Sequence, residues 1–331
     1  MRIFDCTLRD GANVVGNGFS PELTRSMMEA LIACGIPDIE FGNAKGMGSY
    51  EKGAAAPLDD EGYMKLAEPY AQKGRLGMFV LAVQAQEDKL KMAKDHGLSF
   101  ARVGIAAGDG ARATEAVRLV KKAGLTCRFS MMKAYVLPPE ELAAEAKLLE
   151  EAGVDAVTIM DSAGYMYPED AAAYVSALKS AVTIPVGFHG HSNLGLSQAN
   201  ALAAAQAGAD EIDGGLLGMA RSAGNCATEL AAATLMRCGK LQGVDLYRLL
   251  AYLDKDLIPA MQAYDYRPAV TPEALVLGLT GCHSQFLSSF RQVAEAEGVD
   301  LYRLIAAVSA VDKKLPTREL MEKTAREMKV K

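Results

Sequence analysis

Two histidines stand two positions apart in the run Gly187-Phe188-His189-Gly190-His191, and an Arg9–Asp10 pair lies near the N-terminus. On an extended strand the side chains of residues i and i+2 point to one face, close enough to grip a single ion. Imidazoles joined by a carboxylate suit Mn2+, Fe2+, Co2+ or Zn2+ and, less comfortably, Mg2+. The competing reading is a pair of core histidines satisfied by hydrogen bonds. The chain has only four histidines, and two of them fall here. His96, just before Gly97, reads instead as a surface residue at a helix end. A guanidinium beside a metal is a device for holding a developing oxyanion or enolate, which would be the work of Arg9. A structural pairing of Arg9 with Glu40 is compatible with that work.

Something must bring these residues together across almost 200 positions. Short apolar, β-branched runs alternate with Ala/Leu/Glu/Lys-rich stretches of helical period. The strand-like runs are Ile3–Thr7, Asp38–Phe41, Leu76–Leu81, Phe100–Val103, Thr126–Met131, Ala156–Met160, Pro185–His189 and Glu211–Asp213. Helices are expected from Pro21, with Ser20 as N-cap, to Cys34-Gly35, then around Thr114–Ala123, Glu140–Ala152 and Pro168–Ser180. "Ala-Gly-hydrophobic-Asp" recurs at Ala152–Asp155 and Ala207–Asp210, where a helix hands over to a strand through a glycine turn. Eight such units in about 230 residues match a TIM (β/α)8 barrel. The rival doubly wound sheet lacks its GxGxxG fingerprint after the first strand. The expected organisation is a catalytic barrel over residues 1–243 and a small helical C-terminal domain over 244–331, punctuated by Pro268, Pro272 and Gly298.

In a TIM barrel the site lies where strands end and βα loops begin. The polar residues at those positions are Arg9, Asp10 and Asn13, then Glu40 and Asn43, then Lys133, Asp161-Ser162, His189 to Asn193, and finally Arg221 and Asn225. Asp10 follows the first strand, which adjoins the eighth in a closed barrel and therefore lies near the seventh. Composition narrows the partners. A net charge of -6 argues against nucleic acid or an anionic membrane surface. No apolar run approaches the roughly 20 residues that span a bilayer. Six scattered cysteines without a CxxC pair read as reduced thiols, and a strand-like start leaves no room for a signal peptide, so a cytoplasmic protein is expected.

Three motifs, Thr7-Leu8-Arg9-Asp10-Gly11, Gly187 to Gly195 (GFHGHSNLG) and Ala223-Gly224-Asn225-Cys226-Ala227-Thr228-Glu229, resemble the signatures of the DRE-TIM metallolyases. This superfamily includes 4-hydroxy-2-oxovalerate aldolase, 3-hydroxy-3-methylglutaryl-CoA lyase and 2-isopropylmalate synthase. The stretch Leu277 to Leu287 is similar to the C-terminal helical segment of the aldolase branch. The resemblance implies that Asp10, His189 and His191 ligate a divalent metal, Mn2+ or Mg2+ ahead of Co2+ or Zn2+, with Asn225 as a further or outer ligand. It implies that Arg9 stabilises an enolate, that Glu40 holds Arg9, and that Ser162 lies near the substrate carboxylate. The implied chemistry is cleavage or formation of a C–C bond beside a carbonyl, with a 4-hydroxy-2-oxo acid as substrate and pyruvate enolate as the common half.

Details separate the branches. His191-Ser192-Asn193-Leu194 is closer to the aldolase pattern than to the His-Asn-Asp of Claisen-type synthases, and Leu216 stands where the lyase has its catalytic cysteine. Two departures concern proton handling. The aldolases carry a histidine base where this chain has Asn13, which cannot accept a proton at neutral pH and would at most contact substrate. They carry a tyrosine where this chain has His283, an imidazole able to take over proton transfer. The alternatives are a Claisen-type acyl-CoA condensing enzyme, a Schiff-base aldolase using Lys133, and a metal-binding partner subunit without catalysis. An aldehyde dehydrogenase partner is implied for the aldolase branch, whereas the apolar helices expected at Leu246–Leu257 and Leu301–Val311 serve equally to cover the barrel or to form a homo-oligomer.

Overall fold

The alternation of apolar runs and amphipathic helices closes on itself. In the computed structural model, which describes residues 1–266, 276–278 and 280–329, eight parallel strands form a closed barrel in chain order. They are β1 (Arg2–Asp5), β2 (Asp38–Glu40), β3 (Arg75–Leu81), β4 (Phe100–Ala106), β5 (Thr126–Met132), β6 (Ala156–Asp161), β7 (Val186–Gly190) and β8 (Glu211–Gly214). β1 pairs with β2 on one side and β8 on the other. β4 runs three residues past the expected Val103 because it keeps pairing with β5 as far as Ala106 and Met132. β1 stops at Asp5, short of the expected Thr7, for a local reason. The amides of Arg9, Asp10 and Gly11 all turn back to the carbonyl of Cys6, at 3.1, 2.8 and 3.3 Å. Buried Asp5 fixes this turn by accepting from the Thr7 amide at 2.9 Å and the Thr228 hydroxyl at 2.7 Å.

The helices start and stop where the sequence signals them. Ser20 Oγ accepts from the Leu23 amide at 3.3 Å and Pro21 takes the first helical position of Pro21–Ala33. Helices Pro139–Glu151 and Ser197–Gln206 are followed by Gly153 and Gly208, both at φ +101°, the left-handed turn that a side chain would strain. The aspartates two residues later explain why the motif recurs. Asp155 accepts the Cys127 amide at 2.7 Å and Asp210 accepts the Val186 amide at 2.8 Å, so each ties the start of its strand to the preceding one.

TIM barrel interiors are ordinarily filled by Val, Ile and Leu. This one is filled by charge and aromatic rings. Phe4 lies between two guanidinium groups, Arg102 at 4.7 Å and Arg128 at 4.4 Å from its ring centre. Glu211 receives Arg128 and, from the N-terminal end of the barrel, Arg2 at 2.5 Å. Above them Arg102, with no exposed surface, reaches Asp213 at 2.6 Å and Glu40 at 3.6 Å.

The C-terminal part is helical. The helix expected at Leu246–Leu257 is α-helical only over Leu246–Tyr252, then widens to a π turn over Leu253–Leu257 before Ile258–Gln262. Pro259, with no N–H to donate and a ring that crowds the carbonyl four residues back, stands just beyond that turn. Leu249, Leu253, Leu257 and Met261 pack into the barrel's hydrophobic core. A separate small core gathers Leu277, Cys282, Phe290, Leu304, Ile305, Val308 and Met321. It is built by helices Leu287–Glu297, Leu301–Val311 and Arg318–Lys329, with Gly298 in the left-handed conformation between the first two. Pro268 and Pro272 lie outside the described residues.

Because Arg102 has no access to water, removing it leaves buried Asp213 without its guanidinium partner and Glu40 paired with Arg9 alone. Arg102→Met is expected to lower stability to urea by about 3–5 kcal/mol, the range found when one partner of a buried ion pair is lost. A loss below about 1 kcal/mol would show that the interior rearranges to do without it.

Candidate active site

The turn after β1 presents Asp10 to the end of β7. Asp10 Oδ2 lies 3.7 Å from His189 Nε2 and 3.7 Å from His191 Nε2, and the two Nε2 atoms are 3.4 Å apart. The point equidistant from three atoms so spaced is about 2.1 Å from each, an ordinary bond length from a first-row divalent ion to nitrogen or oxygen. At the same spot His191 Nδ1 and Asn225 Oδ1 are buried and meet no partner among the described residues. The three facing donor atoms, a carboxylate oxygen and two imidazole nitrogens, fit a divalent cation. Burial opposes ionisation of Asp10, but Arg9, His191, Arg221 and His189 outweigh it and hold the carboxyl well below its usual range. Burial, reinforced by His189, Arg221 and Arg9 against the pull of Asp10, pushes His191 down to about 3. A carboxylate and a neutral imidazole are the forms that ligate metal.

Each of these side chains is held from behind. Asp213 Oδ2 lies 3.0 Å from His189 Nδ1, which directs Nε2 toward Asp10. Arg102 holds Asp213 in turn, and the same guanidinium faces Glu40. Glu40 accepts from Arg9 Nε at 2.6 Å, while Arg9 Nη1 donates to Asp10 Oδ1 at 3.0 Å. Arg9 Nη2 has no hydrogen-bond partner among the described residues, which leaves one edge of the guanidinium for a ligand. Cys6 forms a second grouping with His189 and Asp213. There His189 Nδ1 is already engaged by Asp213, the thiol donates to the Gly214 carbonyl at 3.2 Å, and burial pushes its pKa far up, so no thiolate is on offer.

The remaining expected residues also converge on the mouth. An isolated bridge pairs His191 with Asn225, whose Nδ2 donates to Asp10 Oδ2 at 3.0 Å. As oriented, Asn225 positions the carboxylate instead of presenting its oxygen. Asn13 Nδ2 donates to the Asp10 carbonyl at 2.9 Å, and its Oδ1 accepts from Lys45 Nζ at 2.8 Å. Ser162, at the end of β6, accepts from the Lys133 amide at 2.9 Å. Lys133 itself is left-handed at φ +56° and sends Nζ to the Lys314 carbonyl at 2.8 Å, which joins the mouth to the C-terminal helices.

His283 is brought in by that helical segment, buried and facing the charges of Arg221, His191, Lys133 and Asp10. Its Nδ1 accepts from the Gln285 amide at 3.1 Å, so the neutral ring carries its proton on Nε2. Burial, with Arg221, His191 and Lys133, keeps the ring neutral by pushing its pKa well down. In this geometry His283 is a hydrogen-bond donor, which differs from the proton acceptor that would replace the missing base. His96 lies far from the mouth, at the end of helix Glu87–Asp95 beside Glu68. The residues not singled out from sequence are Asp213, Arg102 and Lys45. Asp213 had a signal in the alternation Glu211-Ile212-Asp213, which sends both acids to one face of a barrel strand.

Comparison with known proteins identifies the family. The profile of the HMGL-like family matches residues 1–255. The chain is 37% identical over 304 residues to the 4-hydroxy-2-oxovalerate aldolase of Carboxydothermus hydrogenoformans, covering 91% of this chain and 89% of that protein. It is 37% identical over 303 residues to the 4-hydroxy-2-oxovalerate aldolase of Geobacillus genomosp. 3, covering 91% and 88%. Among solved structures, the carboxyl transferase domain of Rhizobium etli pyruvate carboxylase superposes with a TM-score of 0.76 at 16% identity. That match covers 99% of this chain and 60% of the other, and speaks for the fold alone. The chain belongs to the HMGL-like family.

Proposed function

We propose that this chain is a divalent-metal-dependent aldolase that cleaves or forms the C3–C4 bond of a 4-hydroxy-2-oxo acid, with pyruvate as one product. The observation that carries the proposal is the triangle of Asp10, His189 and His191 donor atoms with Arg9 ion-paired beside it. Aldolase relatives of nearly full length support the reaction class. Asp10, His189 and His191 would hold the ion, with Asn225 steadying Asp10. When bound, a divalent cation supplies Lewis-acid polarisation of the 2-oxo carbonyl. The resemblance to the metallolyases favours Mn2+ or Mg2+ ahead of Co2+ or Zn2+, and of the first two the imidazole-rich donor set suits Mn2+ better.

The chain's own residues supply the rest. Arg9, locked by Glu40 and resting on the Phe79 ring at 4.9 Å, directs its free edge at an oxygen that gains negative charge. Ser162 and the adjoining Lys133 form the polar corner for the substrate carboxylate. His283 offers Nε2–H as a donor across the mouth. No helix among the described residues is long and apolar enough to cross a membrane. Six free cysteines support a reducing, cytoplasmic setting. Val311 and Leu315, 71% and 61% exposed on the helical segment, support self-association there and leave a surface for an aldehyde dehydrogenase.

Two experiments test this reading. Arg9→Ala is expected to lower kcat by about 10²–10³-fold while Mn2+ still binds, measured by pyruvate release from 4-hydroxy-2-oxovalerate. Turnover within threefold of wild type would remove Arg9 from the chemistry. Asp213→Asn is expected to weaken Mn2+ binding about 10–100-fold by calorimetry, because His189 loses its orienting carboxylate. Unchanged affinity would mean that Asp213 serves only Arg102.

A further inference from the structure

The mouth of the barrel holds more positive charge than one carboxylate requires. Arg221, on the loop after β8, has Nε 3.8 Å from Asp10 Oδ1, the outer limit of an ion pair. Its guanidinium makes no hydrogen bond to another described residue, although its side chain is only 26% exposed. Asp10 is a poor neutraliser for it, since the same carboxylate takes Arg9 at 3.0 Å and faces both imidazoles at 3.7 Å. Lys45, on the loop after β2, ends on a neutral amide, Asn13 Oδ1 at 2.8 Å. Lys45 also faces the like charges of Arg221 and Arg9 and the opposing charge of Asp10. Arg221 is partly buried and Lys45 lies at the exposed rim beside it, and the two repel one another unless a ligand supplies the matching charge.

The other polar corner lies across the barrel. Ser162 and Lys133 stand at the ends of β6 and β5, which face β2 and β1 in the eight-strand ring. Asp10 and the two histidines lie between the corners. Arg221 and Lys45 therefore gather positive charge on one side of the proposed metal position, whereas the Lys133 ammonium on the other side is already held by the Lys314 carbonyl.

We propose that Arg221 and Lys45 form a second carboxylate-binding corner, so that the substrate is a 4-hydroxy-2-oxo dicarboxylate carrying its second carboxylate on the carbon that bears the hydroxyl. This rests on the aldolase reading above. The closeness of Arg221 to Asp10 fits a carboxylate directly on C4. In the cleavage the C3–C4 bond breaks and its electron pair passes into the enolate of pyruvate, which takes a proton at C3. The hydroxyl on C4 loses its proton to solvent and becomes a carbonyl. The products are pyruvate and a second 2-oxo acid, glyoxylate when C4 carries hydrogen, and no oxidant or reductant is consumed.

The test compares 4-hydroxy-2-oxoglutarate with 4-hydroxy-2-oxovalerate, which differ by a carboxylate against a methyl group on C4. Products are resolved by chromatography with the full chain and Mn2+. Wild type is expected to favour the dicarboxylate in kcat/KM by roughly 10²-fold, because a guanidinium corner left unpaired rejects the analogue. Arg221→Gln and Lys45→Gln should collapse this ratio, mainly through KM for the dicarboxylate, and Arg221→Lys should restore part of it. Calorimetry with 2-oxoglutarate and 2-oxovalerate, which lack the hydroxyl and cannot be cleaved, reads the same preference as binding. A wild-type preference for the methyl compound, or an Arg221→Gln variant that slows both substrates equally, overturns the proposal. Tighter binding of 2-oxoglutarate with no cleavage of either hydroxy acid overturns the aldolase reading and leaves the carboxylate corner standing.

Discussion

Arg102 is a cation sealed inside a barrel, and the site depends on how its charge is met. A buried guanidinium is tolerated only when it is paired. Its partners, Asp213 and Glu40, are the two carboxylates that reach up to His189 and Arg9. One desolvated charge therefore sets the tautomer of a proposed metal ligand and the pose of the proposed enolate-stabilising arginine. Phe4 completes the arrangement by offering its ring to Arg102 and Arg128 together. The interior has exchanged part of the usual aliphatic packing for a ladder of charges that specifies geometry at the mouth.

The loops add what a regular barrel cannot. The turn onto the Cys6 carbonyl rotates Arg9 and Asp10 over the barrel axis, and the His191–Asn225 bridge draws the loop after β8 across to β7. Lys133, Leu217 and Ser222 are left-handed without being glycine, and all three lie in loops after β5 or β8. Such backbone persists only where its surroundings over-determine it, and it gathers at functional sites. At Lys133 the restraints are visible, with the amide held by Ser162 and the ammonium by the C-terminal segment.

Much of this was legible from residue order. The barrel followed from alternating periodicity, His189 and His191 were legible because spacing on a strand decides which side chains share a face, and Arg9 and Asp10 were singled out by their place just after the first strand. Glu40 followed from its place at the end of β2. What stayed hidden depends on contacts across the ring. Nothing in the run Phe100-Ala101-Arg102-Val103 says that Arg102 points inward to Asp213, since an arginine between apolar residues reads equally well as facing out. The donor state of His283 depends on one backbone amide, two residues away, whose direction no spacing rule supplies. The break in the helix after Tyr252 had a signal in Pro259, but the apolar period masked it. Lys45 escaped notice because its loop is irregular, and its role follows only from where Asn13 and Arg221 stand.

Asp10, His189 and His191 are proposed to hold one divalent ion through the carboxylate oxygen and the two Nε2 atoms that face each other. The most direct measurement is anomalous diffraction from crystals soaked in Mn2+. A single strong peak about 2.0–2.3 Å from Asp10 Oδ2, His189 Nε2 and His191 Nε2 is the predicted result. A peak bound instead between Cys6, His189 Nδ1 and Asp213, or no peak at the barrel mouth, would contradict it.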